Sequence, residues 1–303
     1  MQQRKAGISQ LQNTEASRTL LRAAFTSHRR AQRLQAIRTW LSLAVAGLAI
    51  VAAIEPSTAE AASVIGGVWA LAYAATVNVS LTEVRRAANL QEMFDVSIFG
   101  LPWNSMAAGH KIEHHEVSRL ARRYRGPESR LVDYYDIPEL PRPYDVLACQ
   151  HQNLAWGSRV RSRYGNLLTI ALIGWSSLGL VLAAAAGLTV SQLILAWFIP
   201  SLGGLMMGVD IYREQREVIE IRTRALHLAN ERIAAALHAA EPDPALEGFA
   251  RQVQDAILAT RQDQVRAPEW FFRCFHRSDR ADFQLAIARR FERLTGPLEE
   301  PQS

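Results

Sequence analysis

The sequence predicts an all-α integral membrane protein: four transmembrane helices, a helical cytoplasmic insert between spans two and three, and a helical C-terminal tail. Three observations carry this. Residues 164–209 are 46 consecutive positions without one Asp, Glu, Lys or Arg, a run foreign to soluble domains. Two shorter uncharged windows, 39–54 and 61–82, lie nearer the N-terminus. The 34 basic residues all fall outside these windows and their short connectors. The whole-chain averages, 49% hydrophobic and 21% charged, conceal this unevenness and on their own would describe a soluble protein. The pattern excludes a disordered chain, a disulfide scaffold and a soluble enzyme.

Residues 1–38 read as a cytoplasmic amphipathic helix. Ile8, Leu11, Leu20, Leu21, Ala24, Phe25, Leu34 and Ile37 are spaced among polar neighbours and lead into the first apolar window. So many polar residues before the first apolar run exclude a secretory signal peptide.

The first transmembrane hairpin is expected over 39–82. A helix rises about 1.5 Å per residue and the hydrocarbon core is roughly 30 Å thick, so 61–82 fits one crossing. The window 39–54 is short, but Arg38 can snorkel toward the headgroups and Trp40 suits an interface. In the second span Ala62, Gly66, Ala70, Ala74, Asn78 and Thr82 recur every four residues. Such a stripe of small or polar side chains permits close helix packing, and the same stripe can face a pore.

The insert spans 83–163. A helix continues from the second span and breaks near Gly100-Leu101-Pro102, and a second helix is expected over 105–124, ending at Gly126-Pro127. Three prolines in 133–143 make an ordered loop, and a helix from about 144 runs into the third span.

The uncharged run 164–209 is too long for one crossing and divides at Gly187-Leu188-Thr189 into a second hairpin. Pro200 should distort the fourth span, and Gly204 with Gly208 forms a GxxxG pair. No span carries a charge, which disfavours an ion-coupled transporter and leaves a passive pore open.

The tail, 210–303, begins with a helix to about 240. Val218, Ile221, Ala225 and Leu228, with Ile219, Leu226 and Ile233, suggest packing within the subunit or a short coiled coil between subunits. Glu241-Pro242-Asp243-Pro244 closes that helix. Amphipathic helices over about 245–262 and 279–294 flank the aromatic segment 268–275.

Orientation follows from Lys and Arg: residues 1–38 hold 8, 83–163 hold 12 and 210–303 hold 14, whereas connectors 55–60 and 187–189 hold none. Both termini and the insert are therefore expected in the cytoplasm. The formal net charge of +5 reflects topology and contact with the lipid bilayer, not nucleic-acid binding. Cys149 and Cys274 both fall on the reducing side, so no disulfide is expected.

Two enzyme chemistries fail on spacing. His110 and His114 share a helix face beside Glu113, His115 and Glu116, but their order is not HExxH and no third ligand is placed, so no metal is assigned. Cys149 and His151 point about 200° apart on a helix and cannot pair as nucleophile and base. No phosphate loop or cofactor motif is present. No catalytic residue and no cofactor are expected.

The string NLQEMFDVSIFGLPWN (89–104) resembles the motif that follows the second span in the SMODS-associating four-transmembrane effectors. These are pore-forming proteins of bacterial antiphage systems that signal with cyclic oligonucleotides. The likeness continues in VDYYDIPELP (132–141) and CQHQNLAWGSRVRSRY (149–164), more weakly in ISQLQN (8–13), and the order of parts agrees to about residue 230. The motif positions are Gln91, Glu92, Phe94, Asp95, Pro102, Trp103 and Asn104, then Asp133, Tyr134 and Tyr135, then Cys149, Gln150, Asn153 and Trp156. Gly157 stands where the family pattern has an acidic residue, so a salt bridge from that position is lost here.

The resemblance implies a homo-oligomeric effector that acts in abortive infection by opening or disrupting the membrane. Its signal would be a cyclic di- or trinucleotide made by a partner nucleotidyltransferase. Such a ligand calls for arginines at its phosphates and aromatics at its bases. Tyr134, Tyr135, Trp156, Arg159, Arg161 and Arg163 are the candidates, and the same aromatics can equally form the core of the insert. The alternative is a membrane scaffold without a pore that holds a protein partner through its tail.

Overall fold

The computed structural model describes residues 7–238 and 244–262, with 271, 274, 289 and 291, and excludes the side chains of 76–80 and 156–157. Among the described residues every regular element is helical. The elements are α1 (Ile8–Leu11), α2 (Glu15–Ile54), α3 (Ala59–Phe99), α4 (Ser105–Ala108), α5 (His114–Ala121), α6 (Tyr144–Ala185), α7 (Val190–Leu193), α8 (Ile199–His238) and α9 (Ala245–Gln262). Three stretches, Glu15–Ile54, Tyr144–Ala185 and Val190–His238, are long and apolar enough to cross a membrane. The remaining expected span, 61–82, lies on α3 and includes the side chains outside the described set. The protein is an all-α membrane protein.

The helix ends have local causes. α3 stops at Gly100, whose φ of 67° places it in the left-handed region that glycine tolerates. Arg142 donates to the exposed carbonyls of Ile98, at 3.0 Å, and Phe99. The turn between α6 and α7 uses Gly187 at φ 66°, followed by Thr189 and Gln192 in a reciprocal capping box. Pro200 has no N–H for the helical ladder, and the turn before it, Ile194–Phe198, widens into a π-helix.

Two expected helices differ from those observed. The first is interrupted at residues 12–14, where Gln12 and Asn13 turn their amides to the 133–137 loop. The second, expected over 105–124, divides into α4 and α5 because Gly109 adopts φ 69°. In the tail, α9 has the expected bounds, but the helix expected at 279–294 and the segment 268–275 lie outside the described residues, apart from single positions. The closing Glu241-Pro242-Asp243 also lies outside them.

The chain forms two compact units: Met1–Arg30, Glu83–Val160 and Val218–Ser303 make the first, and Ala31–Thr82 and Arg161–Glu217 the second. The first has a core of Leu21, Phe94, Ile98, Leu131, Tyr135, Leu147, Ile233 and Leu246. Leu154, Ala225, Val253 and Ile257 extend it between α6, α8 and α9. The periodic residues Val218, Ala225 and Ile233 of α8 are thus buried inside the chain, while Leu228 is exposed.

The second unit packs through small residues. A Cβ on Gly66 would lie 2.4 Å from Pro200 Cα, and Ala62 is buried with Ala52 and Ala196. Gly203 admits the Trp69 ring, Gly179 admits Trp197, and Gly208 admits Leu172. Trp69 and Trp175 donate their indole N–H groups to Ser42 (3.0 Å) and Ser201 (2.9 Å). The outward faces carry exposed Leu41, Ile50, Ile65, Leu71, Ile170 and Val181, a surface that only lipid or another apolar partner would cover.

Candidate functional site

The polar positions of the motif converge in the first unit, and α9 completes them. Glu92 and Asp95 sit one turn apart on α3, at 1% and 0% exposure. Two carboxylates so deeply buried require cations and donors. α9 supplies them: Arg251 Nη2 donates to Glu92 Oε1 at 2.7 Å, and Arg261 Nη1 to Asp95 Oδ2 at 2.6 Å. Gln254 Nε2 donates to both, at 2.7 Å to Glu92 and 3.0 Å to Asp95. Gln150 of α6 donates to Gln254 Oε1 at 3.2 Å and to the Ala250 carbonyl at 2.8 Å. The α3 and α6 motifs therefore meet through α9.

The aromatic loop joins the same network. Tyr135 Oη donates to the second Asp95 oxygen at 2.8 Å, and the Tyr135 ring packs on Phe94, Phe99 and Tyr134. Gln91 donates to Tyr134 Oη. Asp133 is non-glycine at φ 48°, a strained conformation held from both sides by Asn13. Asn13 Nδ2 donates to Asp133 Oδ1 at 2.7 Å, and the Asp133 N–H donates back to Asn13 Oδ1 at 3.1 Å. Gln12 makes the same two-way pairing with the backbone of Tyr135, at 3.0 and 2.8 Å.

The LPWN turn is bound to α9 as well. Arg251 Nη1 donates to the Pro102 carbonyl at 3.0 Å. Asn104 caps α4 with its oxygen, while its amide donates to Asp255 Oδ2 at 3.0 Å. Half-buried Trp103 donates to the Gly109 carbonyl at 2.9 Å, with Lys111 over its ring. Cys149 is fully buried in the core. Asn153 accepts, at its carbonyl, from Arg222 Nη1 at 2.9 Å, while Arg222 Nε reaches Thr260 at 3.1 Å.

Electrostatics follow burial. Desolvation and the neighbouring Asp95 push the Glu92 carboxyl above the usual range, against the opposing effect of Gln254, Arg251 and Arg261. Burial, then Asp95, raises the Tyr135 phenol well above its ordinary value, so it remains a donor. Arg251 Nη2 also donates to Asp255 Oδ1 at 2.7 Å, so the two guanidiniums serve three carboxylates in a lock between helices.

Tyr134 and Tyr135 touch each other. Arg159 is half-buried in the first unit, and Arg161 and Arg163 belong to the second, where Arg161 donates to Gln215 at 2.8 Å. The Trp156 side chain is outside the described set. Of the second-span stripe, Gly66 and Ala70 are buried within the chain, Ala74 and Thr82 are exposed, and the Asn78 side chain is outside the described set. Among the described residues no group of His, Cys, Asp and Glu could hold a metal, and His110, His114 and His115 are exposed.

Sequence reasoning missed Arg251, Gln254, Asp255 and Arg261, and with them Gln12, Asn13 and Arg222. A signal was present: Gln254 and Arg261 fall on the apolar stripe of Leu246, Ala250, Val253, Ile257 and Leu258. Polar groups on a buried stripe require polar partners on whatever they meet.

The SMODS-associating 4TM effector domain matches residues 6–289. A probable CBASS effector molecule of Bacillus cereus (strain VD146) is 22% identical over 270 residues, covering 86% of this chain and 90% of the relative. No solved structure matches. With the match running through both hairpins, the insert and α9, the chain belongs to the SMODS-associating 4TM effector family.

Proposed function

We propose that the protein is the membrane effector of a CBASS-type antiphage system. On this reading it oligomerises in the bacterial inner membrane with both termini cytoplasmic, and it opens a pore or disrupts the bilayer. The trigger is a cyclic di- or trinucleotide, made by a partner nucleotidyltransferase, that reaches the first unit. One observation carries the reading: α2, α3, α6 and α8 each run unbroken through residues of both units. A change of packing around the motif therefore acts on helices that continue into the spans. Family membership and the B. cereus relative support the antiphage setting.

Within this reading Tyr134, Trp156 and Arg159 are the groups of the first unit suited to a nucleotide. Tyr135, enclosed and bonded to Asp95, would carry a disturbance at Tyr134 into the α9 lock instead of stacking on a base. The scaffold alternative has less support, because the polar face of α9 is occupied within the chain.

Dye leakage from liposomes carrying the purified protein tests the proposal, with and without a panel of cyclic di- and trinucleotides. Leakage triggered by one nucleotide is expected. Silence with every nucleotide, in folded and inserted protein, would shift weight to a protein trigger or a scaffold.

A further inference from the structure

The second unit contains a polar layer to which all four long helices contribute. Arg38 of α2 is 9% exposed and lies with its guanidinium 4.4 Å above the ring of Tyr73 on α3, itself 3% exposed. Tyr73 Oη donates to Asp210 Oδ2 of α8 at 3.4 Å. Arg161 of α6, 8% exposed, donates to Gln215 of α8 at 2.8 Å. Glu214, one turn beyond Asp210, lies in the field of both arginines. Arg38 precedes the first apolar window and Asp210 follows the last, while Tyr73 lies within the second, 61–82. Next to it α2 and α8 pack closely: a Cβ on Gly204 would meet the Ala46 methyl and the Ser42 carbonyl at 3.6 Å, ordinary contact distance.

Arg38 is the unusual member. Its Nε and Nη2 are buried with no hydrogen-bond partner. A guanidinium at the edge of a span has an alternative: turned outward, it reaches lipid phosphates that would satisfy those donors. The inward position is held by the Tyr73 ring and the charge of Glu214, and headgroups would hold the outward one.

We propose that this layer is the latch of the membrane unit, with Arg38 as the residue that pins α2 and α3 to α8 in the closed state. The inference rests on the pore reading above and names its regulation. Release of Arg38 lets the four helices separate at this level and opens the path along the spans.

The test is leakage without nucleotide from phosphatidylethanolamine–phosphatidylglycerol liposomes carrying the full chain, alongside the parent protein with the nucleotide panel. Arg38→Gln and Asp210→Asn should each raise basal leakage by about tenfold or more, as expected when a two-state balance loses one charged contact. Arg33→Gln, which removes an exposed charge from the same helix, should leave it unchanged. If Arg38→Gln does not elute as folded protein, Tyr73→Phe decides by the same rise in basal leakage, because it keeps the ring under the guanidinium and removes the hydroxyl that donates to Asp210. Tight variants beside a parent that leaks with a nucleotide would overturn the latch and leave the pore. Equal leakage from Arg33→Gln would also overturn it, by showing a surface-charge effect. Silence from every protein under every condition would remove the pore and the latch together.

Discussion

Gln254 donates one amide N–H to Glu92 Oε2 at 2.7 Å and the other to Asp95 Oδ2 at 3.0 Å, so one side chain on α9 joins two buried carboxylates on α3. Its own oxygen accepts from Gln150, so every polar atom of the amide is used. Gln254→Leu should lower stability by on the order of 3 kcal/mol, because two charged acceptors lose their shared donor. Thermal unfolding in detergent reads this directly; a variant that melts with the parent would show that the bridge contributes nothing.

Arg261 and Asp95, at 5% and 0% side-chain exposure, form a buried pair 2.6 Å apart. Arg261→Met strands the carboxylate and should cost about 3–5 kcal/mol. Asp95→Asn combined with Arg261→Met should recover part of that loss, since the uncompensated charge is gone. A double-mutant cycle in chemical denaturant measures the coupling, and strict additivity would refute it.

The Glu92 titration has a defined sign. Its folded carboxyl binds a proton more tightly than the ordinary value of 4.5 allows, through burial and then Asp95. The resulting stability is fully present below the unfolded value and is lost as pH rises through the folded one. Relative to Glu92→Gln, the parent should therefore lose melting temperature as pH rises above the ordinary carboxyl value of 4.5. A pH-independent gap between the two proteins would contradict the assignment.

Gln12 and Asn13 hold the Asp133–Tyr135 segment through four hydrogen bonds. Replacing both by Ala should free that loop at a cost of about 1–3 kcal/mol. Hydrogen exchange over 132–137 is expected to accelerate while α3 and α6 stay protected. Unchanged exchange in the loop would mean that the aromatic packing alone holds it.

Gly66 and Gly67 separate packing from helix propensity. Gly66→Ala drives a methyl into the backbone at Pro200, whereas Gly67→Ala meets nothing within 4 Å. The first should destabilise by about 1–3 kcal/mol and the second should be neutral or slightly stabilising. Melting of the two single variants decides it.

Much of this architecture is legible in the residues because its causes are local. Gly100 and Pro102 end α3, Gly187 and Thr189 make the hairpin turn, and Pro200 perturbs its own helix, each through backbone chemistry a few residues long. The interruption at Gly109 was harder to read, since only its positive φ distinguishes it from a glycine carried within a helix. The lock was not legible at all, because Asp95 and Arg261 are 166 residues apart and nothing local marks them as partners. Arg222 shows the same difficulty: it reads as an interruption of a coiled-coil face, yet it is buried on the Asn153 carbonyl and Thr260. Buried charge resembles surface charge in a sequence until its partner is known.

The distance along the chain between the two halves of the lock has a consequence for biosynthesis. The ribosome makes Glu92 some 160 residues before Gln254, so the second hairpin is synthesised while two interior carboxylates still lack their counterions. Until α9 emerges, the half-made chain contains a defect that closure of the first unit cannot tolerate. Assembly order thus matters: the core of the first unit closes only after α9 has been translated. A prematurely terminated copy presents unpaired charge in place of a core, a natural mark for proteolysis.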